Sequence, residues 1–213
     1  EGGEHAHADG ADDHADVHAA DMDAAGHAHE EPTAEAAALA ADPVLSGADT
    51  ASATAVELET AVDLVVDTRS VVGEAFTDTA SAEAAGYVWI GDGRRVGRYQ
   101  HYINPAYLAD EHQLDPAHIE SLVFENTAAG PVLVTTMYVL DFDQTMDDVP
   151  DVAGALTVWH DHQNLCWDES GTRLAGVSTD GETCRPAGTL RATPPMLHVW
   201  LVDNPCGPFA GVE

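Results

Sequence analysis

The spacing of apolar positions changes along the chain and divides it. Over roughly Ser52 to Ala85, Val62, Val65, Arg69, Val72 and Phe76 recur three or four residues apart. That spacing gives a helix one largely apolar stripe, so a single long helix is predicted, ended by Gly86. Beyond Gly86 the runs become short and β-rich: Tyr87 to Ile90, Arg98 to Ile103, Ile119 to Glu125, Val132 to Leu140, Leu156 to His162, Arg173 to Val177 and Met196 to Val202. Asp92-Gly93, Gly130-Pro131, Asp180-Gly181 and Asn204-Pro205 separate them as turns. The expected fold is α+β, a mainly antiparallel β sandwich or small barrel with a long N-terminal helix packed on it.

Ahead of the helix the pattern disappears. From Glu1 to Asp42 there are twelve acidic residues, six histidines and many alanines, with no basic or aromatic side chain. Such a stretch has too little apolar surface to offset the entropy of ordering. A disordered tail is therefore expected over 1–45, relieved by a short helix from Thr33 to Ala41 that stops before Pro43. The organisation read from the sequence is tail 1–45, helix 50–85 and β-rich domain 86–213.

Charge narrows the partners. Acidic residues number 38 against 7 basic ones, all arginine, for a net charge of -31 over 213 residues. Such a surface repels phosphate backbones and anionic headgroups, which argues against nucleic acid and membrane surfaces and in favour of cations. It is also what a protein of a salty habitat would carry, since screening removes the repulsion. No run reaches the ~18 consecutive apolar residues of a membrane span. Cys166, Cys184 and Cys206 lack zinc-finger spacing, and their odd number leaves at least one unpaired within a monomer. A Cys166 to Cys184 bridge around a polar loop is expected, and with it a secreted or cell-surface location.

Histidine is the residue type that suggests chemistry. In the tail, His5 and His7 form one HxH, His14 and His18 lie four apart, and His27 and His29 form a second HxH. Imidazoles with nearby carboxylates such as Glu4, Asp16 and Glu30 suit multivalent, weakly selective capture of transition metals, although a solubilising arm would look similar. In the run Leu156 to His162, strand alternation puts His160 and His162 on one face about 7 Å apart. His101 and His198 lie in other predicted strands. Three imidazoles converging, with a fourth position for water or a carboxylate, would make an open metal site. His112 and His118 fall in a polar loop and read as surface residues. Asp141, Asp143, Asp147 and Asp148 read as a solvated loop without the order of a calcium-binding loop. The tryptophans read as core or pocket lining.

Two resemblances add to this. Gly154-x5-His160-x-His162-x3-Cys166 resembles the first motif of the cupin superfamily, with cysteine in place of glutamate. Gly188-x5-Pro194 ahead of His198 is similar to the second motif, one residue short and without its internal glycine. This resemblance implies a cupin-like barrel with His160, His162 and His198 as ligands, and Cys166, Glu169 or Glu120 replacing the glutamate. Separately, Gly86-Tyr87, His101-Tyr-Ile-Asn-Pro105, Leu114-Asp-Pro116, Glu120-Ser-Leu122, Leu197-His-Val-Trp-Leu201, Asn204-Pro205 and Gly207-Pro-Phe-Ala210 resemble an uncharacterised family of secreted bacterial proteins. That likeness spans Gly86 to Ala210 and implies an extracytoplasmic domain with a helical lead-in. Members share the positions of His101 and His198 and often lack the HxH.

The sequence has no P-loop, no GxSxG elbow and no HExxH. The leading expectation is an extracytoplasmic metal-binding protein. Its tail collects the ion, and its β domain holds one ion, copper or zinc, through His160, His162 and His198, with His101 or Cys166 completing the shell. Cys166 fills that role only outside a disulfide. A cupin-like metalloenzyme with an open His-ligated site and a metal-free ligand-binding or structural module are the alternatives.

Overall fold

The computed structural model describes residues 33–73, 75–91 and 97–212, all within the compact unit Pro32–Glu213. The tail histidines His5, His7, His14, His18, His27 and His29 and the Asp92-Gly93 turn lie outside the described residues.

Helix α1 covers Ala34–Ala40, and the Thr33 side chain caps it by accepting from the Ala36 N–H. Helix α2, Ala55–Val72, opens with a capping box in which Thr54 and Glu57 each satisfy the other's backbone N–H. Leu58, Ala61, Val65, Thr68 and Val72 form its buried stripe. The single helix expected over Ser52 to Ala85 is in fact two. A break follows Gly73, and α3, Thr79–Ala84, starts afresh because the Asp78 carboxylate accepts from the Ser81 N–H at 2.8 Å. Gly86, with φ +96°, does end it, and the Tyr87 N–H closes the cap on Ala82 O.

The β structure is antiparallel, and the fold is α+β. Strands β1 (Val88–Trp89), β2 (Tyr99–Ile103), β3 (Ser121–Thr127), β4 (Gly130–Val139) and β8 (Met196–Trp200) form one sheet in the order β1-β2-β3-β4-β8. A second sheet, β6-β5-β7, consists of β5 (Leu165–Trp167), β6 (Leu174–Val177) and β7 (Thr189–Leu190). The expected barrel does not close among the described residues, because β1 and β8 remain the edges of the larger sheet. No helix there is long and apolar enough to cross a membrane.

The two faces of the larger sheet do different work. Tyr102, Leu122, Phe124, Tyr138, Leu197 and Val199 pack with Leu58, Val65 and Val72 into the main core. Polar bonds fix that docking: Arg69 donates from Nε and Nη2 to Trp200 O at 3.1 and 3.0 Å, and Thr68 Oγ1 lies 2.7 Å from the Tyr138 hydroxyl. The opposite face holds a smaller cluster of Val123, Met137, Val139 and Met196, flanked by Tyr99 and Leu108. This second face curls with the twist of the sheet, and long side chains of β2 and β8, three ladders apart, meet across it: the Tyr99 and Trp200 rings lie edge to face at 6.2 Å.

The run Leu156 to His162 is not a strand. It begins as a 3-10 turn at Gly154–Leu156 and pairs with β8 only through one bridge, His160 with Met196. Alternation fails at Val158, which is 50% exposed. Strands β5 and β7, only three and two residues long, escape a period-2 reading altogether.

Candidate metal centre

The curled face gathers histidines from three places in the chain. His101 is the middle residue of β2 and shares its face with Val123 opposite. His198 is the middle residue of β8, opposite Met137 of β4. His160 is held by reciprocal backbone bonds to Met196, at 3.1 and 2.8 Å. His162 follows, its N–H donating to Thr193 Oγ1 at 2.9 Å. The His160 ring lies 5.3 Å from that of His198, centroid to centroid, and 5.4 Å from that of His162. Two imidazoles sharing one tetrahedral ion at about 2.0–2.1 Å have centroids roughly 5 Å apart. The spacing is compatible with a shared ion, but the His160 and His198 rings are near-parallel, at 7°, and no three ligand atoms of this group lie within 4.8 Å of one another.

Burial is graded across the group. His198 is 1% exposed, His101 and His160 are half-buried, and His162 is at the surface. Burial pushes the His101 imidazole down to about 4, and the proximity of His162 and His160 adds to the effect. Burial likewise pushes His198 down to about 3, helped by His160, His101 and His162. His162 is lowered too, by burial and by His160, with Asp161 opposing. His101 and His198 are therefore neutral at pH 7, the form a metal requires. Buried imidazole normally finds partners for its nitrogens, yet Nδ1 of His198 has none. A second orphan, Ser121 Oγ, occupies the same row of the sheet, since Ser121 pairs with Met137 and Met137 with His198. Unsatisfied polar atoms on one concave face are what a ligand would satisfy.

Cys166 does not join them. It is bonded to Cys184 and buried in β5, so the disulfide read from the sequence excludes the thiolate ligand read beside it. Cys206 is free and exposed. Glu120 is no substitute ligand on this face either: it alternates with Ser121 and accepts from the Val139 N–H at 3.1 Å inside the main core, where burial raises its carboxyl to about 8.

A second group was missed by the sequence reading. Asp110, His112 and His118 bring one ligand atom each within 4.8 Å of one another and could hold a metal ion. They sit on the loop between β2 and β3. The His118 Nδ1 lies 2.7 Å from Asp110 Oδ2 and the His112 Nδ1 3.5 Å from Oδ1, and the two ring centroids are 4.1 Å apart with the planes tilted by 33°. The bond from His118 keeps the Asp110 carboxyl below its usual range, as does the His112 N–H donating to Oδ1 at 2.9 Å. These histidines do lie at or near the surface, as expected. The one available signal was the string of turn-forming aspartates, Asp110 and Asp115, each accepting from the N–H two residues on and folding the loop back. Asp141 and Gln144 accept from Gln113, and Asp148 accepts from the Thr145 N–H and hydroxyl, so local turns account for that acidic segment.

Comparison of the chain with protein-family models, with curated proteins and with solved structures finds no match.

Proposed function

We propose that the protein is an extracytoplasmic transition-metal-binding protein whose β domain takes one copper or zinc ion on the curled face, through His198, His160 and His162 with His101 beside them. The observation that carries this reading is the unpartnered, buried Nδ1 of His198 amid three further imidazoles. Nitrogen donors without thiolate suit zinc and copper better than calcium or magnesium. The Cys166–Cys184 disulfide supports an oxidising compartment. In this reading the histidines of residues 1–42 collect ions for the domain.

The test is titration of the full chain with zinc and with copper, wild type against His160→Ala plus His162→Ala, with all six tail histidines replaced by alanine in both. A binding step that disappears in the double variant supports the site; identical isotherms overturn it. Because His162 is exposed at the rim, an enzyme of open-site type is the second reading. Water exchanging on the bound ion, seen by relaxation with paramagnetic copper, favours it; a closed shell rules for storage or transfer.

A further inference from the structure

The face that carries the histidines also carries sulfur. Met137 is the direct cross-strand partner of His198, and Met196 is the bridge partner of His160. Directly opposed residues of an antiparallel pair project to the same side, with Cβ atoms about 4.5–5.5 Å apart. Two imidazoles and two thioethers thus alternate over neighbouring rows of one buried patch, where Met137 is 6% and Met196 4% exposed. Met146, by contrast, is exposed in a loop.

The rest of the patch is as informative. The hydrophobic side chains packed around the two thioethers are Val123, Val139, Tyr99 and Leu108. Asp161 acts on His162, whereas what shifts His198 is burial and the neighbouring imidazoles, with no carboxylate among them. A divalent ion seated against His198 would bring two positive charges into this largely apolar patch. The desolvation cost of an ion grows with the square of its charge, so a monovalent ion meets far less opposition there. Thioether and imidazole are the donors that soft, monovalent copper accepts.

We infer that the resident ion of the curled face is copper(I), held by His198 and His160 with the thioether sulfurs of Met137 and Met196. This rests on the metal-binding reading above and specifies its ion. It also separates the two groups of the molecule: Asp110, His112 and His118 supply a carboxylate and no sulfur, which fits a divalent ion.

The experiment uses the full chain with the six tail histidines replaced by alanine and Cys206→Ser, so that no free thiol supplies sulfur. Copper(I), maintained with ascorbate, is titrated against a chromogenic copper(I) chelator, and the loaded protein is examined by X-ray absorption at the copper edge. Met137→Leu plus Met196→Leu keeps volume and apolarity, so the fold is retained. A copper–sulfur shell that vanishes in the double variant is expected, together with a fall of tenfold or more in copper(I) affinity relative to zinc. Zinc binding with no copper–sulfur shell and an unchanged copper(I) affinity in the double variant overturns the inference while leaving the metal site standing. Failure to bind either ion, in a protein whose circular dichroism is native, overturns both.

Discussion

Two histidine groups in this molecule are built on opposite principles. The group on the curled face is assembled by long-range strand pairing, from residues 101, 160, 162 and 198, and has a buried nitrogen left without a partner. The loop group, Asp110 with His112 and His118, is assembled within nine residues and satisfies itself, because Asp110 accepts from both the loop backbone and a ring. A self-satisfied group gives an incoming ion little that it does not already have, since the ion must first displace the His118 to Asp110 bond. An unsatisfied one stores its bonding capacity for the ligand and is destabilising until the ligand arrives. Proximity of ligand atoms, which favours the loop, is therefore a poorer guide to a dedicated site than unmet bonding, which favours the sheet.

The largest effect that can break this contrast is on metal affinity. His198→Ala is expected to weaken the tightest zinc or copper step by about 100-fold or more, whereas His112→Ala leaves that step in place. Isothermal titration of both variants decides it, and the contrast collapses if His112→Ala is the one that removes the tight step. Next in size is stability without metal. An orphaned buried nitrogen costs about 1–3 kcal/mol, so His198→Leu, of similar volume, should raise the urea midpoint of the metal-free protein while abolishing binding. A lower midpoint would mean that His198 is satisfied in solution and is not held ready for an ion.

The sequence made the outline of the sheet site readable and concealed the loop site, for physical reasons. His101 and His198 lie in short, β-rich runs bounded by turn residues, and β2 and β8 form where those runs predict them. His160 and His162 were grouped on a strand that does not exist, yet they still reach His198, because one bridge to Met196 is enough to set the position of the first ring. The curl of the sheet, which brings β2 toward β8, leaves no trace in composition or spacing. Neither does the break between α2 and α3: the apolar stripe runs through it, and only the Asp78 cap with Ser81 marks it. In the loop, Asp110, His112 and His118 have no periodicity to reveal them, since Asx turns depend on where a side chain folds back.

Proton linkage provides a third and smaller probe, in metal-free protein between pH 5 and pH 8. His101 and His198 have folded values near 4 and 3 against the usual 6.5, so below pH 6.5 the unfolded chain binds more protons at these residues and stability drops as pH falls. Glu120 acts in the other direction. Its carboxyl is raised to about 8 from the usual 4.5, so its contribution is full below 4.5 and is lost as pH rises toward 8. Each net proton is worth about 1.4 kcal/mol per pH unit. The lowered histidines, His162 among them, outweigh one carboxyl below pH 6.5, and of these shifted groups Glu120 is the one whose effect extends well above it, which places the maximum at about pH 6.5 to 7. Urea unfolding across this range checks it, and Glu120→Gln should turn the falling limb above pH 6.5 into a plateau. A curve that keeps falling in the glutamine variant would assign that limb to some other group.

The smallest expected effect belongs to the loop. Asp110→Asn keeps the turn, because the amide oxygen still accepts from the His112 N–H, and removes only charge from a pair near solvent. Pairs of this kind add little to stability and less at high ionic strength. The urea midpoint should stay within replicate scatter, and the tight metal step should be unchanged. What the variant should lose is a weak second equivalent of zinc, seen in wild type and absent here, because a divalent ion at two imidazoles needs the anion more than the fold does. If instead Asp110→Asn abolishes the tight step, then the loop group is the principal site of the molecule, and the unmet nitrogen of His198 has another explanation.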